Sequence, residues 1–115
     1  MKRYRVTMSS VASMDVASIV TYLATTEGLP AALAADSLID EKLRSLTHLA
    51  HRGRIVPELR RRGITVYREL VAAPYRILYR VVRDEVWVVA VIDGRRDTDA
   101  LLHERVRRGV LGEVE

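Results

Sequence analysis

Cysteine is absent from the 115 residues. That removes disulfide frameworks, thiolate zinc centres and cysteine nucleophiles together, and it fits a reducing compartment. Long apolar runs are missing too. The longest stretch without a charge, Val16 to Thr26, is eleven residues, whereas a membrane-spanning helix needs about 18 or more. Met1-Lys2-Arg3 opens with basic residues but meets no apolar core before Ser9 and Ser10, so the start reads as mature sequence rather than an export signal. Histidine is sparse. His48 and His51 lie three apart on an expected helix with no carboxylate or thiolate beside them, so no metal site is expected, and His103 reads as solvated. Trp87 has no other aromatic patterned beside it and reads as core or sheet cover before it reads as a base-stacking platform. There are no repeats, low-complexity segments or long linkers. The expectation is one domain over residues 1–115, with roughly two-thirds of its unfolded surface buried around a single core and no room for a cofactor domain. No cofactor is expected.

Charge is plentiful but unevenly placed. Residues 1–51 are neutral overall, residues 52–92 carry +5, and residues 93–115 carry −1. In the basic middle, Arg52, Arg54, Arg60, Arg61 and Arg62 face one acid, Glu58. Seventeen of the nineteen basic residues are Arg, whose planar fork suits phosphate or carboxylate, so the middle suits a polyanion or an acidic protein. Glu58 itself reads first as a surface ion-pair partner of these arginines.

Patterning gives the element order. Tyr4 to Met8 is a β-prone run, and Ser9, Ser10 and Ser13 offer caps for a helix over about residues 11–27 that Gly28 stops. Pro30 opens a second helix, with an apolar stripe through Leu33, Leu38, Ile39, Leu43, Leu46 and Leu49 before Gly53. Three strand-like runs follow, Ile64 to Val71, Tyr75 to Val82 and Val86 to Ile92, joined by links short enough for hairpins. Alternation in the middle run sets Tyr75, Ile77, Tyr79 and Val81 under the helices and points Arg76 and Arg80 out of the opposite face. The last run is apolar on both parities, Val86, Val88, Ala90 and Ile92 against Trp87, Val89 and Val91, which places it centrally, beside the first strand. Asp97 reads as the cap of a short helix to Arg108, followed by a frayed tail. The fold class is α+β: an N-terminal strand, then a two-helix antiparallel hairpin packed on one face of a small, mainly antiparallel four-stranded sheet, then a short C-terminal helix.

Four pieces in this order resemble the RelE/ParE superfamily of type II toxins, the growth-inhibiting halves of bacterial toxin–antitoxin modules. They are Gly53-Arg54-Ile55-Val56-Pro57-Glu58-Leu59, Tyr67-Arg68-Glu69, Pro74-Tyr75-Arg76-Ile77-Leu78-Tyr79 and Gly94-Arg95-Arg96-Asp97. The resemblance implies a cytoplasmic protein, a cognate antitoxin partner, a role of the plasmid-stabilisation kind and no membrane partner. It leaves the oligomeric state open.

Two mechanisms live on this fold. The RelE-like branch cuts mRNA on the ribosome by driving a ribose 2′-hydroxyl onto the adjacent phosphate, which needs a base, cations and an acid. Glu58 matches the family's carboxylate base and Arg76 its phosphate arginine, with Arg54 and Arg80 able to add charge. The acid is missing, because the last strand runs into Ile92-Asp93-Gly94-Arg95-Arg96-Asp97, and neither an ionised Asp nor an Arg donates a proton readily. The ParE-like branch poisons DNA gyrase without a hydrolytic centre of its own, and this chain resembles it more closely. In that reading Arg54, Arg68, Arg76, Arg80, Arg95 and Arg96 are the candidate contacts for target or antitoxin. Arg95 and Arg96 have a second reading, holding the C-terminal segment on the sheet. A plain nucleic-acid-binding module is a further alternative.

Overall fold

The computed structural model describes residues 2–111 and gives nine elements: β1 (Arg5–Met8), α1 (Ser10–Thr26), α2 (Leu29–Ser45), β2 (Arg54–Ile55), α3 (Pro57–Arg60), β3 (Arg68–Ala72), β4 (Tyr75–Val82), β5 (Glu85–Asp93) and α4 (Thr98–Arg107). Among the described residues the sheet has five strands in the order β1-β5-β4-β3-β2. The pair β1–β5 is parallel and the others antiparallel. The α+β order expected from the sequence therefore holds, with β5 central and next to β1. One strand was not expected: Arg54 and Ile55 form a two-residue edge opposite Glu69 and Arg68.

Local chemistry sets the boundaries. Ser9 caps α1 by accepting from the Ala12 N–H at 3.1 Å. Gly28, at φ +101°, makes the reversal into α2 that a side chain would resist, and Pro30 sits in the first turn beyond it. The second helix ends at Ser45 rather than near Gly53. Residues 46–52 wind through single turns instead, because Leu46 and Ala50 must both reach the core before the chain enters β2. The third strand starts at Arg68, not at Ile64. Gly63 takes φ +79° and the Ile64 N–H bonds back to the Leu59 carbonyl, so these residues close α3 rather than pair.

The helical hairpin covers one face of the sheet. Ala12, Leu23, Ala32, Ala35, Ile39, Leu46 and Ala50 meet Leu70, Ala72, Tyr75, Ile77, Tyr79, Val86, Val88 and Val91 there. The small residues let the helices approach closely, and area burial is what holds this layer. The opposite face has a core of its own, where Val56, Leu59, Leu102 and Leu111 meet Tyr67, Leu78, Val89, Ala90 and Ile92. The helices expected on one face are thus joined by a second cover, built from α3 and α4. The cause is visible in β4 and β5: Leu78, Val89 and Ile92 are apolar, and a solvated face would leave them wet. A bulge in β5 also shifts its parity. Leu78 pairs with Ala90 and Tyr79 with Val88, leaving Val89 extra, so Ile92 faces α4 while Val86 and Val88 face the hairpin.

Beyond Arg108 the chain continues to Leu111, which is buried; the remaining tail, residues 112–115, lies outside the described residues. No described helix is long and apolar enough to cross a membrane.

Candidate functional site

Under the second cover lies a charged network that the linear sequence does not announce. Arg76, on β4, points from the face expected, but α3 and α4 roof that face and its side chain is only 12% exposed. The guanidinium grips both oxygens of Glu58 at 2.7 Å each. Its Nε donates to Glu69 Oε1 at 2.6 Å. Arg54 Nε donates to the other Glu69 oxygen at 2.6 Å, as the β2–β3 register allows. Thr98, in the first turn of α4, donates its hydroxyl to Glu58 Oε2 at 2.6 Å. Arg54, Glu69, Arg76, Glu58 and Thr98 therefore link β2, β3, β4, α3 and α4. Gly94 makes room for this, since a Cβ there would come within 3.2 Å of the Arg76 stem and 3.0 Å of the Pro74 carbonyl.

The electrostatics are one-sided. The hydrogen bonds from Arg76 pull the Glu58 pKa from 4.5 to about 2; burial opposes this, and the Thr98 bond adds to it. Glu58 in turn raises the Arg76 pKa. Such a carboxylate has its oxygens occupied and little affinity for a proton at neutral pH, which makes it a poor general base. Glu58 is thus a buried member of a network, not the surface partner of Arg60, Arg61 and Arg62; of these, only Arg62 reaches it, through the backbone carbonyl at 3.2 Å.

The other predicted arginines lie apart. Arg68 belongs to the hairpin face and donates to the Gly53 carbonyl at 2.8 Å. Arg80 lies on the α4 side with its guanidinium carbon 5.8 Å from the Tyr67 ring centre, and its buried Nε has no partner among the described residues. Arg95 turns back on Asp93 at 2.7 Å and keeps that carboxyl below its usual range. Arg95 and Arg96 line a cleft of about 530 Å³ with Ser18, Tyr22 and Tyr75. The six candidates therefore fall in four places, Arg54 with Arg76 on Glu69, Arg68 on the hairpin face, Arg80 beside Tyr67, and Arg95 with Arg96 at the cleft, rather than on one exposed strand face.

Among the described residues, no side-chain bond from Arg95 or Arg96 holds the C-terminal segment. That work is done by Thr98, by Asp99 with Arg62 at 3.0 Å, and by Arg105, which grips Asp15 of α1 at 2.7 and 2.8 Å. Asp97 caps α4 as its position predicted, accepting from the Ala100 N–H at 3.1 Å. Thr98, Asp15 and Arg105 escaped the sequence reading. A threonine directly after a capping Asp carries no sign of its tertiary partner, and Asp15 and Arg105 are 90 positions apart.

Comparison with known proteins adds the family. The model of the ParE toxin of type II toxin–antitoxin systems (parDE) matches residues 6–98. The chain belongs to the ParE toxin family. The match runs from β1 to the first turn of α4 and so includes every member of the Arg76 network. Among solved structures, this ParE-family chain is similar to a chromosomal ParDE toxin–antitoxin system from P. aeruginosa, with TM-score 0.64 and 21% identity over 79% of this chain and 96% of that one. It is also similar to the RelBE2 toxin–antitoxin complex from Mycobacterium tuberculosis, with TM-score 0.57 and 20% identity over 81% of this chain and 93% of that one. At these identities the two likenesses show the shared fold. No curated protein matches the chain.

Proposed function

We infer that this ParE-family toxin arrests growth by poisoning DNA gyrase, that a cognate antitoxin neutralises it, and that it works in the cytoplasm in a plasmid-stabilisation type of module. The state of Glu58 carries the choice of mechanism. Cleavage of RNA by attack of a 2′-hydroxyl needs a group that takes the hydroxyl proton. The carboxylate at the matching position is held at about 2 by Arg76 and is also bonded by Thr98. To act as a base it would have to leave Arg76, at the cost of uncovering a buried guanidinium. Arg76 is equally committed, with Glu58 on one side and Glu69 on the other, so it has no free fork for a phosphate. The pair therefore supports α3 and α4 rather than chemistry, as a target-binding toxin requires.

The test is to express the chain without antitoxin and assay for gyrase trapped on broken DNA and for mRNA cut on translating ribosomes. The expected result is trapped gyrase with intact mRNA. Glu58→Gln keeps one acceptor oxygen for Arg76 and Thr98 while its amide NH2 faces the other guanidinium nitrogen, so its folding is checked first; the folded variant is expected to keep toxicity within about threefold, whereas loss of a general base costs about 100-fold or more. Cut mRNA, abolished by Glu58→Gln in a folded protein, would overturn the reading.

A further inference from the structure

Among the described residues, one buried side-chain polar atom has no hydrogen-bond partner, the Nε of Arg80. A buried donor without an acceptor is costly, and folded proteins leave few of them. Arg52, Arg60 and Arg83 also meet no carboxylate, but they are exposed and water serves them. Arg80 is half-buried on β4. Its guanidinium carbon rests over the Tyr67 ring, 5.8 Å from the centre. On the other side, the register sets Arg80 opposite Trp87 of β5, which is half-buried as well. Among the described residues, no carboxylate pairs with Arg80. The stem of this cation is thus fixed among aromatic rings while its fork lacks the acceptor that Arg76, Arg54 and Arg105 each have.

The same tyrosine ties this spot to the end of the described chain. Its hydroxyl donates to the Leu111 carbonyl at 2.9 Å, and Leu111 is buried beside it. The sequence then reads Gly112-Glu113-Val114-Glu115, two carboxylates and no cation. Chain leaving Leu111 starts one tyrosine side chain away from Arg80. Two extended residues span about 7 Å, and a glutamate side chain adds its own length, so the first of these acids is within reach. An acid on so short a tether acts at an effective concentration of millimolar order, which favours it over any anion from solution. A nucleic acid backbone is met by several cations together, whereas here one guanidinium stands among Tyr67, Trp87 and Val82. We propose that the carboxylate of Glu113 pairs with the guanidinium of Arg80 and supplies the acceptor it lacks. The segment is then an internal competitor for any acidic partner that approaches Arg80, one of the six candidate contacts. This pairing does not depend on the gyrase reading.

The experiment is nuclear magnetic resonance on the full chain. The Glu113 carboxyl is expected to titrate about one unit or more below the ordinary glutamate range while Glu115 stays within it, and Arg80→Gln brings Glu113 back. The Arg80 Nε proton is expected to exchange with water about tenfold faster in Glu113→Gln and unchanged in Glu115→Gln. That second readout leaves Arg80 in place, so it decides the matter even where Arg80→Gln fails to fold. Polyglutamate peptide is the competitor probe. It is expected to move the Arg80 signal in Glu113→Gln at a concentration about tenfold lower than in the unaltered chain. Ordinary titration of Glu113, or an Arg80 proton indifferent to Glu113→Gln, overturns the proposal. So does an equal response of the two chains to polyglutamate, which would assign Arg80 to an acid from another molecule.

Discussion

The two faces of the sheet are covered by different physics. The hairpin side is closed by 17-residue helices, α1 and α2, whose alanines and branched residues bury a continuous apolar layer. The other side is closed by α3 and α4, of four and ten residues, with few apolar side chains to spend on the interface. Leu102 is the one fully buried residue of α4. What the second cover lacks in area it makes up in directed bonds, with Thr98, Asp99 and Arg105 each tying α4 to another element. A layer held by area tolerates small losses in proportion, while one held by interlocked charges fails when a single member goes.

The largest expected effect tests that contrast directly. Arg76→Ala leaves Glu58 and Glu69 facing each other without their shared cation, and a broken buried pair costs about 3–5 kcal/mol. Chemical denaturation should show the midpoint falling accordingly, with loss of protection in α4 before α1. A change below about 1 kcal/mol would mean that area holds both faces alike.

Acid should act on the same side. The Glu58 pKa, near 2 in the folded chain, lies below its ordinary 4.5. Its contribution is therefore fully present above about pH 4.5 and is lost as pH falls towards 2, about 3 kcal/mol in all. Hydrogen exchange across that window should loosen α3 and α4 while the hairpin stays protected, and Glu58→Gln should flatten the dependence. Equal loosening of both faces would argue against a separate acid-sensitive layer.

The smallest effect sharpens the picture at one bond. Thr98→Val keeps the shape of the side chain and removes its donation to Glu58, which should cost about 1.5–3 kcal/mol, since the acceptor is charged. Thermal melts should register it, with α1 protection unchanged below the transition. An unshifted melt would show that Leu102 and the remaining pins hold α4 without it.

The sequence made the hairpin face legible because its signals are local. Apolar spacing in α1 and α2, the cap at Ser9 and alternation in β4 each declare themselves within a few residues. The second cover was harder to read, and β5 shows why. Its apolar residues on both parities pointed to a central strand, but centrality concerns its two edges, whereas apolar side chains on both faces demand two covers. The bulge at Val89 then moved Ile92 to the α4 side, a shift no alternation pattern shows. Among the candidate residues, Glu58 and Arg76 were legible by type. Their partnership was not, because 18 positions separate them and a charged pair leaves no periodic trace.

The bond from Asp15 reaches past its own ion pair. β1 runs beside only the first part of β5, so from Val89 onward the outer rim of that strand has no neighbouring strand among the described residues. An open rim of this kind invites a stray strand from another molecule. The Asp15 carboxylate takes the Val91 N–H at 2.9 Å, and Arg105 covers the carboxylate from outside. A helix side chain thereby occupies a rim donor that an incoming strand would otherwise pair with.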